Sequence, residues 1–504
     1  MVSVNGGRGR SNNFSVNGGE ANDQFVNLPA IQPSPDTIEE FRVLTNTFDA
    51  EFGRNSGAVV NVVTKSGSNA FHGDLYEFFR NRLLNARHFF DSETPDFKQN
   101  QFGGTLGGPI RKDRTFFFVS YEGRRIRQGI PSDTVTVPTA QERTGDFSAG
   151  STFAGTLTDA RMADVLTSRA GCTEAVATEG GAPIAAGTAY SSVFPGNIIP
   201  PACFDPTAAD MMNQFVPLPN LPSQLYQSVP LSRLRGDQST VRLDERLSDH
   251  HQLGFYYYLD GDSNLKPFAR FQAGGANLPG FGSASHERIQ QYNLTHTWTV
   301  TPATINEFRF AFFREGQGEF NHPQRTNLVQ ESCRTVPSSE CFTDPSNPSL
   351  GITPGLGANH EGVPFIYVSG GFVIGNNFEG ELPQVGNTFH WADSLSHVFG
   401  KHSLKFGADI RRQRFDQTLY FDVNGYYTFS DLVSNSVGFD NPFPSFLLGI
   451  PDSYTQGSAQ TEHVRSTALY LFAQDSWKMR PSVTLNYGLR WELNTPMTDI
   501  GRRV

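Results

Sequence analysis

Apolar and polar residues alternate with a period of two along much of the chain. Val483, Leu485, Tyr487, Leu489 and Trp491 fall on one face, and Thr484, Asn486, Gly488, Arg490 and Glu492 on the other. A period of two is a β-strand, whereas a helix repeats near 3.6 residues. Leu404, Phe406, Ala408 and Ile410 alternate in the same way with Ser403, Lys405, Gly407, Asp409 and Arg411. Leu253, Phe255, Tyr257 and Leu259 repeat the pattern, as do Leu294, His296, Trp298 and Val300 against Asn293, Thr295, Thr297 and Thr299. Strands are expected near 71–79, 100–107, 115–126, 236–247, 251–260, 286–300, 304–315, 385–398, 402–415, 462–478 and 482–494.

The joints between these strands sort by length. Short polar turns lie at Ser248-Asp249-His250, Thr301-Pro302-Ala303, Phe399-Gly400-Lys401 and Met479-Arg480-Pro481, with a slightly longer one at Gly108–Arg114. Long stretches occupy about 127–235, 261–285, 316–384 and 416–461, and loops of this length are unusual in a compact soluble domain. Short and long joints alternate, so all short turns share one rim and all long loops the other. That is the pattern of an outer-membrane β-barrel, and a soluble sandwich has no reason to adopt it. Alternation alone does not say which face meets lipid, but the sorting of the joints does. The face carrying Phe, Tyr, Leu and Trp suits lipid, and the face carrying Arg, Lys, Asp and Glu suits a wet lumen. Trp298 and Trp477 stand two or three residues from a short turn, where an aromatic girdle anchors at the membrane boundary.

Composition agrees. Of 504 residues, 37% are hydrophobic and 18% charged, with 49 Gly, 31 Pro and 43 Phe, which excludes a coiled coil. Aromatics at 12% are too many for a disordered chain. The net charge of −10 is dispersed and there is no basic block, so no nucleic-acid partner is expected. No apolar run approaches the ~18 residues of a membrane helix, which leaves a membrane β-barrel open. Cys172 and Cys203 lie in one Pro/Gly-rich stretch, and Cys333 and Cys341 in another. Without C-x-x-C or histidine at zinc spacing, they read as two loop disulfides formed in an oxidising compartment. An exported chain that opens Met1-Val2-Ser3-Val4-Asn5, with no apolar h-region, reads as a fragment of a longer protein.

Candidate chemistry is sparse. Asp260-Gly261-Asp262-Ser263-Asn264 begins like a calcium loop but has Leu265 at the glycine position and Phe271 at the glutamate position. It reads as a polar loop tip after a strand. His250, His251, His286 and His402 lack metal spacing and read as ordinary surface. No H-E-x-x-H, G-x-S-x-G, Walker or G-x-G-x-x-G motif is present. No enzyme activity, cofactor or metal is expected.

The first segment carries the most specific signal. Ile38-Glu39-Glu40-Phe41-Arg42-Val43, then Ala50-Glu51-Phe52-Gly53, then Gly57-Ala58-Val59-Val60-Asn61-Val62-Val63-Thr64-Lys65 resembles the plug domain of TonB-dependent outer-membrane receptors. Glu39, Val43, Gly53, Gly57, Asn61, Thr64 and Lys65 match the plug signature, with Ala58 in place of a second glycine. Gly53 and Gly57 permit tight turns. Val59, Val60, Val62 and Val63 are expected in a buried strand, with Asn61 and Lys65 facing polar partners such as the barrel wall. Phe71-His72-Gly73, Gln101–Ile110 and Lys112–Phe118 resemble the Oar-like branch of those receptors.

The resemblance implies an all-β-dominated transmembrane antiparallel β-barrel with a small α+β N-terminal plug, in the bacterial outer membrane. Residues 1–70 would be the plug and 71–504 the N-terminal half of the barrel, about 11 of about 22 strands. The remaining strands, a signal peptide and the TonB box would lie outside this chain. An open sheet leaves two edges that cannot sit in lipid, so this chain alone is not expected to transport. The implied partners are the TonB–ExbB–ExbD energising complex, outer-membrane lipid, and an unidentified ligand such as a siderophore, glycan, peptide or polymer. The alternatives are an outer-membrane adhesin or assembly protein of the same form and, outside the membrane, a secreted β-rich enzyme.

Overall fold

Alternating stretches become strands because a pleated chain sends successive side chains to opposite faces. The computed structural model describes residues 3–501 except 5, 46–48, 55, 88, 90–93, 95, 158–159, 177–182, 270–274, 322–361 and 431–440. Four short strands come first: β1 (Asn13–Val16), β2 (Gly19–Glu20), β3 (Ile38–Leu44) and β4 (Val59–Thr64). They form one sheet in the order β2-β1-β4-β3, with β1 and β4 parallel. This is the plug.

Eleven long strands follow: β5 (His72–Asn81), β6 (Phe97–Arg111), β7 (Thr115–Gly129), β8 (Leu231–Arg246), β9 (His251–Lys266), β10 (Ser283–Thr301), β11 (Thr304–Asn321), β12 (Leu382–Phe399), β13 (His402–Leu419), β14 (Gln460–Arg480) and β15 (Val483–Asn494). Each pairs with its sequence neighbours, always antiparallel, in unbroken chain order from β5 to β15. The two-residue strand Thr498–Asp499 pairs with β14 as well. The wall is an open sheet, since β5 and β15 do not pair with each other.

Exposure decides which face is outside. Leu485, Tyr487, Leu489 and Trp491 are 46%, 52%, 76% and 50% exposed. The Arg490 side chain between them is only 10% exposed and points to the plug. Leu294, Phe406, Ile410 and Leu471 are exposed likewise, while Tyr256, Tyr258, Ile289 and Phe313 of the inner face pack on Val16, Ala21 and Ile31 of the plug. The oily face is the outer one, as a lipid-facing wall requires. Trp298 stacks on His251 at 5.6 Å and Trp477 on His402 at 5.4 Å, both at the short-turn rim.

Two features differ from the sequence reading. The strands run on past their expected loop-side ends, β9 to Lys266, β11 to Asn321 and β13 to Leu419. Asp260–Asn264 is therefore mid-strand, paired to β8 and β10, and not a loop tip. Above the hydrocarbon, outward positions need not be apolar, so alternation fades while the backbone ladder continues.

The long connections are not irregular either. They bury Phe147, Phe153, Tyr190, Phe194, Phe372, Phe443, Phe446 and Leu447 in one shared core. Around this core lie the helices Ala160–Thr167 and Pro206–Phe215 and the strands Phe365–Val368, Tyr426–Phe429 and Ser453–Thr455. We call this loop-side unit the cap. Its helices are short, and none in the described chain is long and apolar enough to cross a membrane.

Candidate functional site

The seam between plug and wall concentrates the polar chemistry of the molecule. Its plug side is set by Asn17 and Gly18, which join β1 to β2 with φ of 49° and 73°. Asn-Gly is the favoured pair for such a two-residue turn. A Cβ at Gly18 would also lie 2.3 Å from the Arg309 guanidinium, so the glycine serves both the turn and the close approach of the wall. The hairpin delivers Glu20 into the seam.

Glu20 is buried, its side chain 1% exposed, and is held by two arginines. Arg54 of the plug pairs with Oε2, and Arg411 of β13 reaches the same oxygen at 2.5 Å. Arg411 also binds Asp409 through Nη2 at 3.0 Å, and His390 of β12 lies 3.1 Å from Asp409. Alternation on β13 makes this possible, because residues 405, 409 and 411 share the inner face. Burial pushes the Glu20 carboxyl up, but Arg54 and Arg411 outweigh it and hold the group below its ordinary range.

Hydrogen bonds knit the rest of the seam. Gln291 Nε2 donates to the Glu20 carbonyl (2.7 Å), Asn293 Nδ2 to that of Val16 (3.0 Å) and Arg242 Nη1 to that of Thr64 (2.6 Å). Gln238 takes the Ser34 amide at 2.7 Å and donates to the Gln32 carbonyl at 3.0 Å. Gln24 Nε2 donates to Thr388 Oγ1 at 2.6 Å. Lys405 pairs with Glu51, whose carbonyl accepts from Arg490 at 2.9 Å. These bonds satisfy plug carbonyls that the wall hides from water.

Among the chambers that flank the plug, two lie toward opposite rims. The loop-side one, of about 700 Å³, is lined by Asp23, Phe25 and Pro29 of the plug and by Arg124, Asp260, Asp262, Glu287 and Glu315 of the wall. The turn-side one, of about 630 Å³, is lined by Asn17, Val63, Arg242, Asp244 and Arg309. Carboxylates outnumber basic groups by five to two in the loop-side lining, where Arg10 and Arg124 are the basic ones. Among the described residues, no cluster of His, Cys, Asp and Glu has the geometry to hold a metal.

The plug-signature residues occupy several places. Thr64 is buried, and its amide and hydroxyl meet the Asn17 side chain at 3.0 and 2.9 Å. Asn61 accepts from Ser15 at 3.0 Å within the plug, and not from the wall as expected. The Lys65 amide donates to the Thr37 carbonyl at 2.8 Å. Gly57 lies against Asn12 and Ser11, with no space for a Cβ. Gly53 lies beside Arg490 and Glu492 of β15. Glu39 and Val43 are on β3, whose residues 39–43 are all exposed. Cys172 and Cys203 are joined by a disulfide inside the cap, and Cys333 and Cys341 lie outside the described residues. Sequence reasoning missed Glu20, Arg54, Asp409 and Arg411 as a set. The Asn-Gly pair and the inward charges of β13 were the available signals.

Comparison with known proteins agrees with this architecture. The family described as "Outer membrane beta barrel domain" matches residues 63–504. The TonB-dependent transporter Oar of Myxococcus xanthus is 24% identical over 517 residues, covering 98% of this chain and 43% of the relative. The chain thus spans less than half the length of that relative. Among solved structures, the outer membrane transporter YddB of Escherichia coli is 10% identical and covers 99% of this chain and 51% of its own, with a TM-score of 0.48. The siderophore receptor PirA of Acinetobacter baumannii is 13% identical and covers 97% and 50%, with a TM-score of 0.45. With an outward apolar face, turns and loops sorted to opposite rims, and a family match across nearly all of the wall, the chain belongs to the outer membrane β-barrel family of the bacterial outer membrane.

Proposed function

We propose that residues 1–70 and 71–504 form the plug and part of the barrel of a TonB-dependent receptor. It binds a ligand on its loop side and imports it when TonB–ExbB–ExbD displaces the plug. The similarity to a protein named a TonB-dependent transporter supports this reading. One observation carries it: beside a single small apolar cluster, the seam is crossed by many hydrogen bonds and ion pairs. Water can replace each such bond as a plug moves, at a net cost of only about 1 kcal/mol per bond. An apolar seam would offer no such exchange. The acidic loop-side chamber favours a ligand rich in cationic or hydrogen-bond-donating groups, which a siderophore, glycan or peptide can each present.

A cross-link tests the import step. Glu51→Cys with Lys405→Cys, bridged by a short thiol-reactive linker that reduction cleaves, ties plug to wall. Cells carrying this pair are expected to lose uptake of fluorescent peptide and glycan pools and to regain it on mild reduction. Deleting the energising complex should abolish uptake in the unmodified protein. Uptake that survives both changes would refute the reading.

One observation favours a second reading. The folded, disulfide-linked cap offers a rigid surface for attachment to a partner. On that reading, the cross-linked protein would still support surface attachment.

A further inference from the structure

One contact across the seam joins two acids. Asp23 of the plug and Glu315 of β11 meet carboxyl to carboxyl in the lining of the loop-side chamber. Strand register sets up the meeting. Glu315 pairs with Gly386 of β12 on one side and with Ile289 of β10 on the other. Gly386 leaves space for Gln24 of the plug, whose side chain lies 3.2 Å from where a Cβ would stand. Gln24 is held there by its bond to Thr388, two residues along β12. Ile289 belongs to the apolar cluster with Val16, Ala21 and Ile31 of the plug. The plug thus packs on both flanks of Glu315, which is only 5% exposed.

A carboxylate only accepts hydrogen bonds, so a bond between two carboxyl groups needs one proton. Both Asp23 oxygens already accept backbone amides, from Phe25 at 2.9 Å and from Val26 at 2.7 Å. That leaves Glu315 as the donor. The charged groups around it agree. Glu287 of β10 and Asp260 and Asp262 of β9 add negative charge to the same chamber. Arg124 of β7 is committed to Asp262 at 3.1 Å and Asp260 at 3.7 Å, and Arg10 of the plug is exposed. Glu122 of β7 accepts from Tyr76 at 2.8 Å, and the facing positions of β12, Gln384 and Gly386, carry no charge. Glu315 is the twelfth residue of β11, past the ~9–11 that cross the hydrocarbon. Burial, together with the charges of Asp23 and Glu287, pushes its carboxyl up.

We propose that the proton shared by Asp23 and Glu315 is a latch that ties the plug to the wall on the loop side. When the proton leaves Glu315 for water, the O–H···O bond is lost. Two carboxylates then face each other in a site closed to solvent, and both repulsion and desolvation favour undocking. A free glutamate loses its proton near 4.3. A proton kept only in the docked state therefore strengthens docking at low pH, and that share is lost as pH rises through the docked-state value. The sign is opposite to that of Glu20, whose charge is lost in acid. The latch does not depend on the import reading, because a docked plug is common to both functional readings.

Infrared spectra and planar-bilayer recordings of the natural protein test the latch, and neither measures uptake. At about pH 7 the natural protein should show the C=O band of a protonated carboxyl that Glu315→Gln lacks. Leak openings should become about tenfold more frequent as pH rises from about 7 to about 9.5, a range below the ordinary Tyr and Lys values. Glu315→Gln keeps a donor for Asp23 without a titrating proton, so its openings should stay level over the same range. If that variant fails to assemble, Asp23→Asn gives the same comparison, since its amide donates to an ionised Glu315. An absent band, level openings in the natural protein, or the same rise in the variant would overturn the proposal.

Discussion

Glu20 shows how a single residue ties two parts of the molecule together. Its carboxylate is shared by Arg54 of the plug and Arg411 of the wall, and its burial raises the cost of losing either partner. Glu20→Gln keeps the shape and removes the charge. It should loosen the plug by about 2 kcal/mol, seen as a lower urea concentration for plug release in single-channel recordings. The pH dependence follows from the depressed carboxyl. A group held below its unfolded value adds stability above that value, near 4.3 for glutamate, and loses it as pH falls through the folded value. Plug docking should therefore be flat from neutral pH down to about 5 and weaken only below about 4.3. A conductance leak that grows between pH 8 and 6 would contradict this. None of these partners could be read from sequence, because Glu20 and Arg411 are brought together only by the wall register.

At the scale of the element, the alternation of each strand carries two separate messages. The apolar half says where lipid is. Phe310 is mid-band on β11, and Phe310→Arg should cost about 2–4 kcal/mol for folding into phospholipid vesicles. The neighbouring inner position, Arg309, already holds an arginine against the plug carbonyl of Gly18 at 3.4 Å. The polar half says where the plug is, but only in the folded wall. The cap obeys a different rule. Its core draws on residues from several loops far apart in sequence, which no local period reveals. The Cys172–Cys203 bond spans a sequence separation of 31. Replacing both cysteines by serine should remove about 3–4 kcal/mol from the cap, visible as faster proteolysis between 130 and 230. The wall should keep its heat-modifiable mobility in electrophoresis.

For the whole molecule, the order of the strands was legible because each pairs with its sequence neighbour, so length-sorted joints suffice to write the topology. The plug was legible through Gly53, Gly57 and the valine strand that follows them, although the partners of Asn61 and Lys65 were not. The sequence by itself determined which side chains face lipid, which rim carries the loops and where the plug lies, because these follow from period, turn length and local glycine chemistry. Only the tertiary structure decided which inward charges meet the plug and that the loops close over a common core. Those facts depend on strand register and on contacts hundreds of residues apart, and no local pattern encodes either.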